Sequence, residues 1–201
     1  MLERRSALAA HPLVNPANRA DLSTAGTVRV TLSERPTLSI LQVSAFAQTA
    51  DAAGIYLAGA LELELPAANR FSGDLRKSVR AIGPGIWQIV GDDGAVPEAA
   101  AIRATLAGVA TVVDLSHARA AFQVSGAAAA RTLAKHCGLD LYTPKFPTGS
   151  ATNTRFGHIG MTLARIDDAP TFELLVFRGY AEFVFESLVE AAEEFGLLIL
   201  T

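Results

Sequence analysis

The sequence predicts an α+β fold made of two consecutive βαββαβ halves, at about residues 27–114 and 115–201. Three observations support this prediction. A strand-like motif occurs twice, each copy precedes a helix with one apolar face, and each helix precedes a hairpin and a second helix. An order of elements that repeats in this way indicates an internal duplication. The predicted organisation is a single domain of two repeats over 27–201, preceded by an irregular arm over 1–26.

Each half begins with the end of a strand and a helix. Leu41-Gln42-Val43-Ser44-Ala45 corresponds to Phe122-Gln123-Val124-Ser125-Gly126. The residues that follow place apolar side chains at i, i+3, i+4 and i+7, the spacing of one buried helix face. These predicted core positions are Ala53, Tyr56, Leu57 and Ala60 in the first half, and Ala130, Leu133, Ala134 and Cys137 in the second.

A hairpin is predicted after each of these helices. In the first half, strands 78–83 and 86–91 are joined at Pro84-Gly85, a strong turn signal. In the second half, strands 156–166 and 171–177 are joined by a turn that contains Asp167 and Asp168.

A second helix and a short strand complete each half. The apolar positions of the second helices are Ala99, Ile102 and Leu106 in one half, and Val184, Leu188, Ala191 and Phe195 in the other. Each helix ends at a glycine, Gly108 or Gly196, because glycine readily adopts the conformation that stops a helix. Strands 109–113 and 197–200 follow, which gives each half the split ferredoxin-like arrangement, with helices on an antiparallel sheet.

Composition limits the classes of partner. The chain has 17 basic and 20 acidic residues, and this balance does not favour a nucleic acid. Charged residues make up 18% of the sequence, against about 25% in a usual soluble domain, and apolar types make up 50%. This excess, with the apolar ending 197–200, predicts a large protein interface, although enrichment in alanine alone gives similar figures.

The sequence also suggests a compartment. The single cysteine, Cys137, cannot form an internal disulfide, which is typical of a reducing environment. No apolar run reaches the roughly 18 residues needed to span a bilayer. His11 and Pro12 interrupt the stretch 6–14, so that no signal peptide is expected there. We therefore expect a cytoplasmic protein that does not enter a membrane.

One motif resembles a known family. Asp114-Leu115-Ser116-His117, followed by the strand motif at 122–126, is similar to the opening of the aminomethyltransferases, the T-protein family of the glycine cleavage system. Residues 137–141, Pro147 and the hairpin at 154–167 continue the likeness. Over nearly its whole length the sequence resembles the gamma subunits of heterotetrameric sarcosine oxidases. The resemblance implies an aminomethyltransferase-like domain of the folate-binding type.

The resemblance also implies a function. It suggests a non-catalytic subunit, structural or needed for assembly, in a complex that oxidatively demethylates sarcosine to glycine. Hydrogen peroxide and 5,10-methylenetetrahydrofolate are the other products that it implies. The implied partners are the alpha, beta and delta subunits, chiefly a large one. FAD, FMN, NAD and zinc are expected in those subunits, and no cofactor is expected in this chain.

No catalytic, cofactor-binding or metal site is predicted in this chain. T-protein relatives position folate with an acidic residue near the second hairpin, whereas residues 155–166 contain no carboxylate. Asp167 and Asp168 follow in a turn, where aspartate is common for backbone reasons. We therefore do not expect folate chemistry here.

Other groups of reactive side chains are interpreted as structural. Ser116 and His117 are adjacent on a strand and would point to opposite faces, which is a poor geometry for a proton relay. His136-Cys137 has no second cysteine or histidine at metal-ligand spacing.

A basic segment and an acidic turn are interpreted in the same way. The segment contains Arg70, Arg76, Lys77 and Arg80. It lacks interleaved aromatics, which favours a solvated or partner-facing loop over a nucleic-acid site. The acidic turn 91–94 is too short for a calcium loop.

Two alternatives to the assembly subunit remain. One is a stand-alone folate-binding aminomethyltransferase-like protein. The chain is short for a full aminomethyltransferase, and it lacks the K-G-C-Y-x-G-Q motif of the related iron–sulfur maintenance proteins. The other is a regulatory module that binds a small ligand, which thermal stabilisation by that ligand would reveal.

Overall fold

The computed structural model describes residues 6–14 and 27–200. The strands within these ranges are β1 (Val30–Glu34), β2 (Leu38–Ala45), β3 (Phe71–Gly73), β4 (Lys77–Gly83), β5 (Ile86–Asp92), β6 (Ala110–Asp114), β7 (Arg119–Ser125), β8 (Ala151–Phe156), β9 (Ile159–Asp167), β10 (Thr171–Phe177) and β11 (Leu197–Leu200). The α-helices are α1 (Ala50–Leu61), α2 (Ala99–Thr105), α3 (Ala129–Ala134) and α4 (Ala181–Ala192).

The chain divides into two compact units, each with its own sheet. The five-stranded unit comprises residues 37–118 and 149–152. The six-stranded unit comprises 119–148, the chain from 153 onward, and the described residues up to Pro36.

The five-stranded unit has the predicted ferredoxin-like strand order. Its sheet runs β3-β4-β5-β2-β6, so that β2 lies between β5 and β6 with antiparallel pairing on both sides. The hairpin β4–β5 turns at Pro84-Gly85, where Gly85 has a φ of +65° that favours glycine. The core between helices and sheet is apolar and centres on Leu57, Ile89 and Ile102.

The six-stranded unit has the same order with one strand inserted. Its sheet runs β11-β1-β7-β10-β9-β8, and β1 separates the first strand of this half, β7, from the last, β11. β1 is parallel to β11 and antiparallel to β7. The core includes Phe122, Phe156, Phe172 and Phe185. Both sheets and both helix pairs therefore confirm the α+β class and the two ferredoxin-like halves.

The boundary between the units differs from the predicted one. The first half was expected to begin at residue 27, but β1 pairs in the sheet of the second half, and Val30 and Leu32 are buried in its core. Pro36 follows β1 and has no backbone N–H, which separates β1 from β2. In the six-stranded sheet β1 therefore lies beside β7, and β11 pairs with β1 instead of with β7.

The second hairpin contains a strand that was not predicted. The expected strand 156–166 is divided at Gly157, whose φ is +58°, and β8 and β9 lie on either side of the turn. β8 forms the edge of the six-stranded sheet.

Two predicted core positions on the helices are wrong. Tyr56 in α1 is 51% exposed, because Gly54 and Leu61 complete the buried face together with Ala53 and Leu57. Ala134 in α3 is exposed, and Thr132 is buried in its place. The hydroxyl of Thr132 donates to the carbonyl of Ala128, which allows a polar side chain to be buried on this helix.

Among the described helices, none has both the length and the apolar character that a membrane span requires.

The described part of the arm, residues 6–14, packs against the six-stranded unit. Leu8 is 1% exposed and belongs to the apolar core. The carboxylate of Glu34 accepts hydrogen bonds from the Ser6 hydroxyl and from the backbone N–H of Ala7. This segment is therefore part of the folded unit. The rest of the predicted arm, 1–5 and 15–26, lies outside the described residues.

We expect Leu8→Ala to lower the free energy of unfolding by about 2 kcal/mol, because it removes a fully buried leucine from the core. Ala9→Ser, at the exposed neighbouring position, is the control and should change stability by less than about 0.5 kcal/mol. Urea unfolding of the purified chain measures both values. Equal stability of the two variants would contradict the packing of this segment.

Candidate functional site

Asp114, Ser116 and His117 form a turn and not a catalytic relay. The Ser116 hydroxyl accepts a hydrogen bond from the backbone N–H of Ile40 at 2.9 Å. Asp114 Oδ1 accepts the backbone N–H of Ser116, also at 2.9 Å, and His117 is exposed. The serine and the aspartate therefore satisfy backbone groups at the end of β6.

His136 and Cys137 also pack as structural residues. Cys137 is buried in the core of the six-stranded unit, and its Sγ lies 3.9 Å from the hydroxyl of Thr154. The His136 ring stacks on Phe156 with 4.6 Å between ring centroids. These contacts account for both side chains without a metal ion.

The fold places the basic side chains of segment 70–80 in different environments. Arg80 lies in β4, as the predicted strand 78–83 implies, and is 1% exposed, so that the interpretation as a solvated or partner-facing loop was wrong for this residue. Lys77 Nζ donates to the carbonyl of Leu61 at the end of α1, and Arg70 donates to Ser150. Arg76 is exposed. The four side chains do not form one basic surface.

Two acidic residues, the last of β9 and the one that follows it, stabilise the turn of the second hairpin. Asp167 Oδ1 accepts the backbone N–H groups of Ala169 and Thr171, each at 2.9 Å. Asp168 accepts the hydroxyl of Thr148 at 2.6 Å. In the other predicted turn, 91–94, Gly94 has a φ of +80°.

One buried ion pair could not be found from sequence spacing. Arg35, just after β1, donates to the carboxylate of Glu173 in β10. The Glu173 side chain is fully buried, and that of Arg35 is 14% exposed. The only sequence signal is a glutamate within the apolar run Phe172–Val176.

A second cluster joins the arm to α4. A ring nitrogen of His11 and one carboxylate oxygen each of Glu182 and Glu186 lie within 4.8 Å of one another. His11 Nδ1 accepts the backbone N–H of Leu13, which leaves the proton of a neutral ring on Nε2, 3.4 Å from Glu186. The geometry is that of a histidine–carboxylate hydrogen bond that holds the segment 6–14 against α4.

The six-stranded unit exposes a group of aromatic residues where β10 passes into α4. Phe177, Tyr180 and Phe183 are 48–50% exposed. The guanidinium of Arg119 lies over the Phe177 ring at 3.8 Å, and the His158 and Phe183 ring centroids are 6.1 Å apart. We call these five residues the aromatic rim. The signal in the sequence is three aromatics within seven residues, 177–183.

Among the described residues, Arg119 is the only cation that stacks on an aromatic ring of this rim. Its Nε is buried and has no hydrogen-bond partner within the described chain. Burial lowers the pKa of the Arg119 guanidinium. The rim therefore combines exposed aromatic surface with a half-buried charge whose hydrogen-bonding capacity is incompletely used.

The five-stranded unit exposes a smaller apolar surface on α1. Ile55 is 72% exposed and Tyr56 51%. A shallow cleft beside them is lined by Gly54, Leu65 and Trp87. Asp51 is the only charged residue of this helix. Both units thus present apolar side chains to their surroundings, as the composition suggested.

The fold is that of the aminomethyltransferases. The structure of the glycine cleavage system aminomethyltransferase T from Bartonella henselae matches 86% of this chain with a TM-score of 0.64 and 16% identity. The match spans 48% of that protein, so the chain corresponds to about half of its length.

Within this fold, the chain can be assigned to a particular family. The model of the sarcosine oxidase gamma subunit family matches residues 44–194, and the chain belongs to this family. It is also similar to a chain of the heterotetrameric sarcosine oxidase from Corynebacterium sp. U-96, in complex with pyrrole 2-carboxylate. That match has 27% identity and a TM-score of 0.81, and covers 98% of this chain and 99% of the other. No curated protein sequence matches the chain significantly.

Proposed function

We propose that this chain is the non-catalytic gamma subunit of a heterotetrameric sarcosine oxidase, with a structural role in assembly. The observation that carries the proposal is the match, over nearly the full length of both chains, to a chain of such an enzyme. The complex would convert sarcosine to glycine and hydrogen peroxide, with 5,10-methylenetetrahydrofolate when the folate acceptor is present.

The contacts of the reactive side chains support this role. Ser116, Asp167 and Lys77 bond to backbone groups, and Cys137 lies in an apolar core. Each therefore has a structural task in its own unit. The exposed apolar residues of the aromatic rim and of α1 supply surface that a partner would remove from water.

The proposed partners are the alpha, beta and delta subunits in the cytoplasm, chiefly a large subunit. FAD, FMN, NAD and zinc are proposed to bind in those subunits. This division of labour makes the behaviour of the separate chain a direct test.

We expect the isolated chain to purify without flavin and without sarcosine oxidation, whereas co-expression with the other three subunits yields a complex that contains it. Affinity purification through a tag on the largest subunit, a visible absorption spectrum and a peroxide assay measure these outcomes. Stoichiometric flavin with turnover in the isolated chain would contradict the proposal. So would a tagged complex that lacks this chain when all four are expressed.

The chain alone should also melt at a lower temperature than the chain in the complex, because binding that favours the folded state stabilises it.

The response to folate distinguishes the assembly subunit from a stand-alone folate-binding protein. Tetrahydrofolate should leave the melting temperature of the isolated chain unchanged, and a marked increase would favour the stand-alone folate-binding alternative.

A further inference from the structure

The composition of the aromatic rim is that of a protein-binding surface. Residues whose truncation weakens complexes most are enriched in tyrosine, tryptophan and arginine, and aromatic residues are generally enriched in interfaces. The rim has three half-exposed aromatic side chains, Phe177, Tyr180 and Phe183, and a stacked arginine. Its five side chains come from the start of β7, the turn between β8 and β9, the end of β10, the 3-10 turn that follows it and the first turn of α4.

The Phe177 contact orients the arginine. The central carbon of the Arg119 guanidinium lies over the Phe177 ring, 3.8 Å from its centroid, and the two residues are directly opposite in the β7–β10 register. Stacking of this kind restricts the side chain while leaving its N–H groups free to donate. A guanidinium held in this way loses little further freedom when it binds a carboxylate.

The charge of Arg119 is not neutralised within its unit. No salt bridge or side-chain hydrogen bond of the described residues involves it, and its buried Nε has no acceptor. The acidic residues in the first half of α4, Glu182 and Glu186, are grouped with His11 instead. The terminal N–H groups of the half-buried guanidinium, and not the buried Nε, are the donors that a carboxylate from outside can reach.

From these contacts we infer that the aromatic rim docks an acidic segment of a partner subunit, one of whose carboxylates pairs with Arg119 while apolar atoms cover Phe177, Tyr180 and Phe183. The inference rests on the proposed function, since it names the chemistry of the surface through which the chain joins its complex. A carboxylate supplies the charge that Arg119 lacks, and its two oxygens match the fork of the guanidinium.

Charge reversal tests the pair. The chain is co-expressed with the other three subunits, and the amount retained on the tagged complex is measured over a series of salt concentrations. The affinity of each variant chain for the other subunits is measured by titration. Arg119→Glu should weaken binding by about thirtyfold or more, as for a residue central to an interface. Arg119→Lys, which keeps the charge without the planar fork, should lose less.

The matched control is Arg76→Glu, the same reversal at an exposed arginine of the five-stranded unit. It should leave affinity within about twofold, as expected for an isolated surface charge. Wild-type affinity should fall with rising salt more steeply than that of Arg119→Gln, because only the wild type forms the ion pair.

A crosslinking experiment makes the result independent of variant folding. Tyr180 or Phe183 is replaced by the photoreactive aromatic p-benzoylphenylalanine in the co-expressed complex, with Tyr142, an aromatic that is 78% exposed in the loop after α3, as the control position. Irradiation should join positions 180 and 183 to another subunit through a peptide that contains aspartate or glutamate.

The outcomes separate this inference from the proposed function. If the wild-type chain joins the complex but Arg119→Glu binds as tightly as Arg76→Glu, the docking surface is wrong and the proposed function stands. Crosslinks from position 142 alone, or to peptides without a carboxylate, overturn it in the same way. If the wild-type chain does not join the complex at all, the proposed function itself fails.

Discussion

Replacing Glu173 by alanine is expected to lower the free energy of unfolding by about 3–5 kcal/mol, the cost of breaking a buried ion pair by removing one partner. The Glu173 side chain is fully buried in β10, and Arg35 donates to it from the end of β1. The variant leaves a largely buried guanidinium without this carboxylate. Since small domains are stable by only about 5–15 kcal/mol, this loss is a large part of the total stability. Urea unfolding followed by circular dichroism measures the change.

The double variant Arg35→Met with Glu173→Leu is the control. It removes both charges and fills the space with apolar atoms, which is often neutral for a buried pair. Most of the lost stability should therefore return. If the double variant is as unstable as Glu173→Ala, the loss arises from packing and not from the broken ion pair.

Gly126→Ala is expected to lower the free energy of unfolding by about 2–4 kcal/mol. Gly126 has a φ of +109°, and a Cβ placed there would lie 2.4 Å from the carbonyl oxygen of Arg29. This oxygen accepts the backbone N–H of Ala128, so that moving it also weakens a hydrogen bond where the chain enters β1. Thermal and urea unfolding both measure the effect.

Gly160→Ala provides the matched control. Gly160 lies in β9, and no atom lies within 4 Å of the position that its Cβ would occupy. Without strain, this change should be neutral or slightly stabilising, because alanine restricts the unfolded chain. Equal losses in the two variants would show that the close approach of Arg29 does not limit position 126.

The two predictions concern the same feature, the insertion of β1 into the second half. Gly126 allows the chain before β1 to pass close to the end of β7, and Arg35 anchors the other end of β1 to β10. Leu32 between them is buried in the core. The segment 30–35 is therefore held by apolar packing and an ion pair as well as by strand pairing.

Much of the fold could be predicted because its signals are local. The turn at Pro84-Gly85, the helix stop before Gly196 and the strand 197–200 depend on the conformations of a few adjacent residues. The apolar spacing of α4 also predicted its core positions, since a helix with a wide apolar stripe has one way to bury it. α1 is apolar nearly all round, and the same rule misplaced Tyr56.

By itself, the sequence determined the α+β class, the duplicated order of elements and the resemblance to a family, because periodicity, turn residues and motifs are written in consecutive positions. Only the tertiary structure decided the partner of β1, the Arg35–Glu173 pair across 138 positions, and the stacking of Arg119 on Phe177. An alternating pattern such as Val28, Val30 and Leu32 indicates a strand, but any open sheet edge can satisfy its hydrogen bonds. Which edge it joins, and which charges then meet, depends on packing between residues distant in the chain.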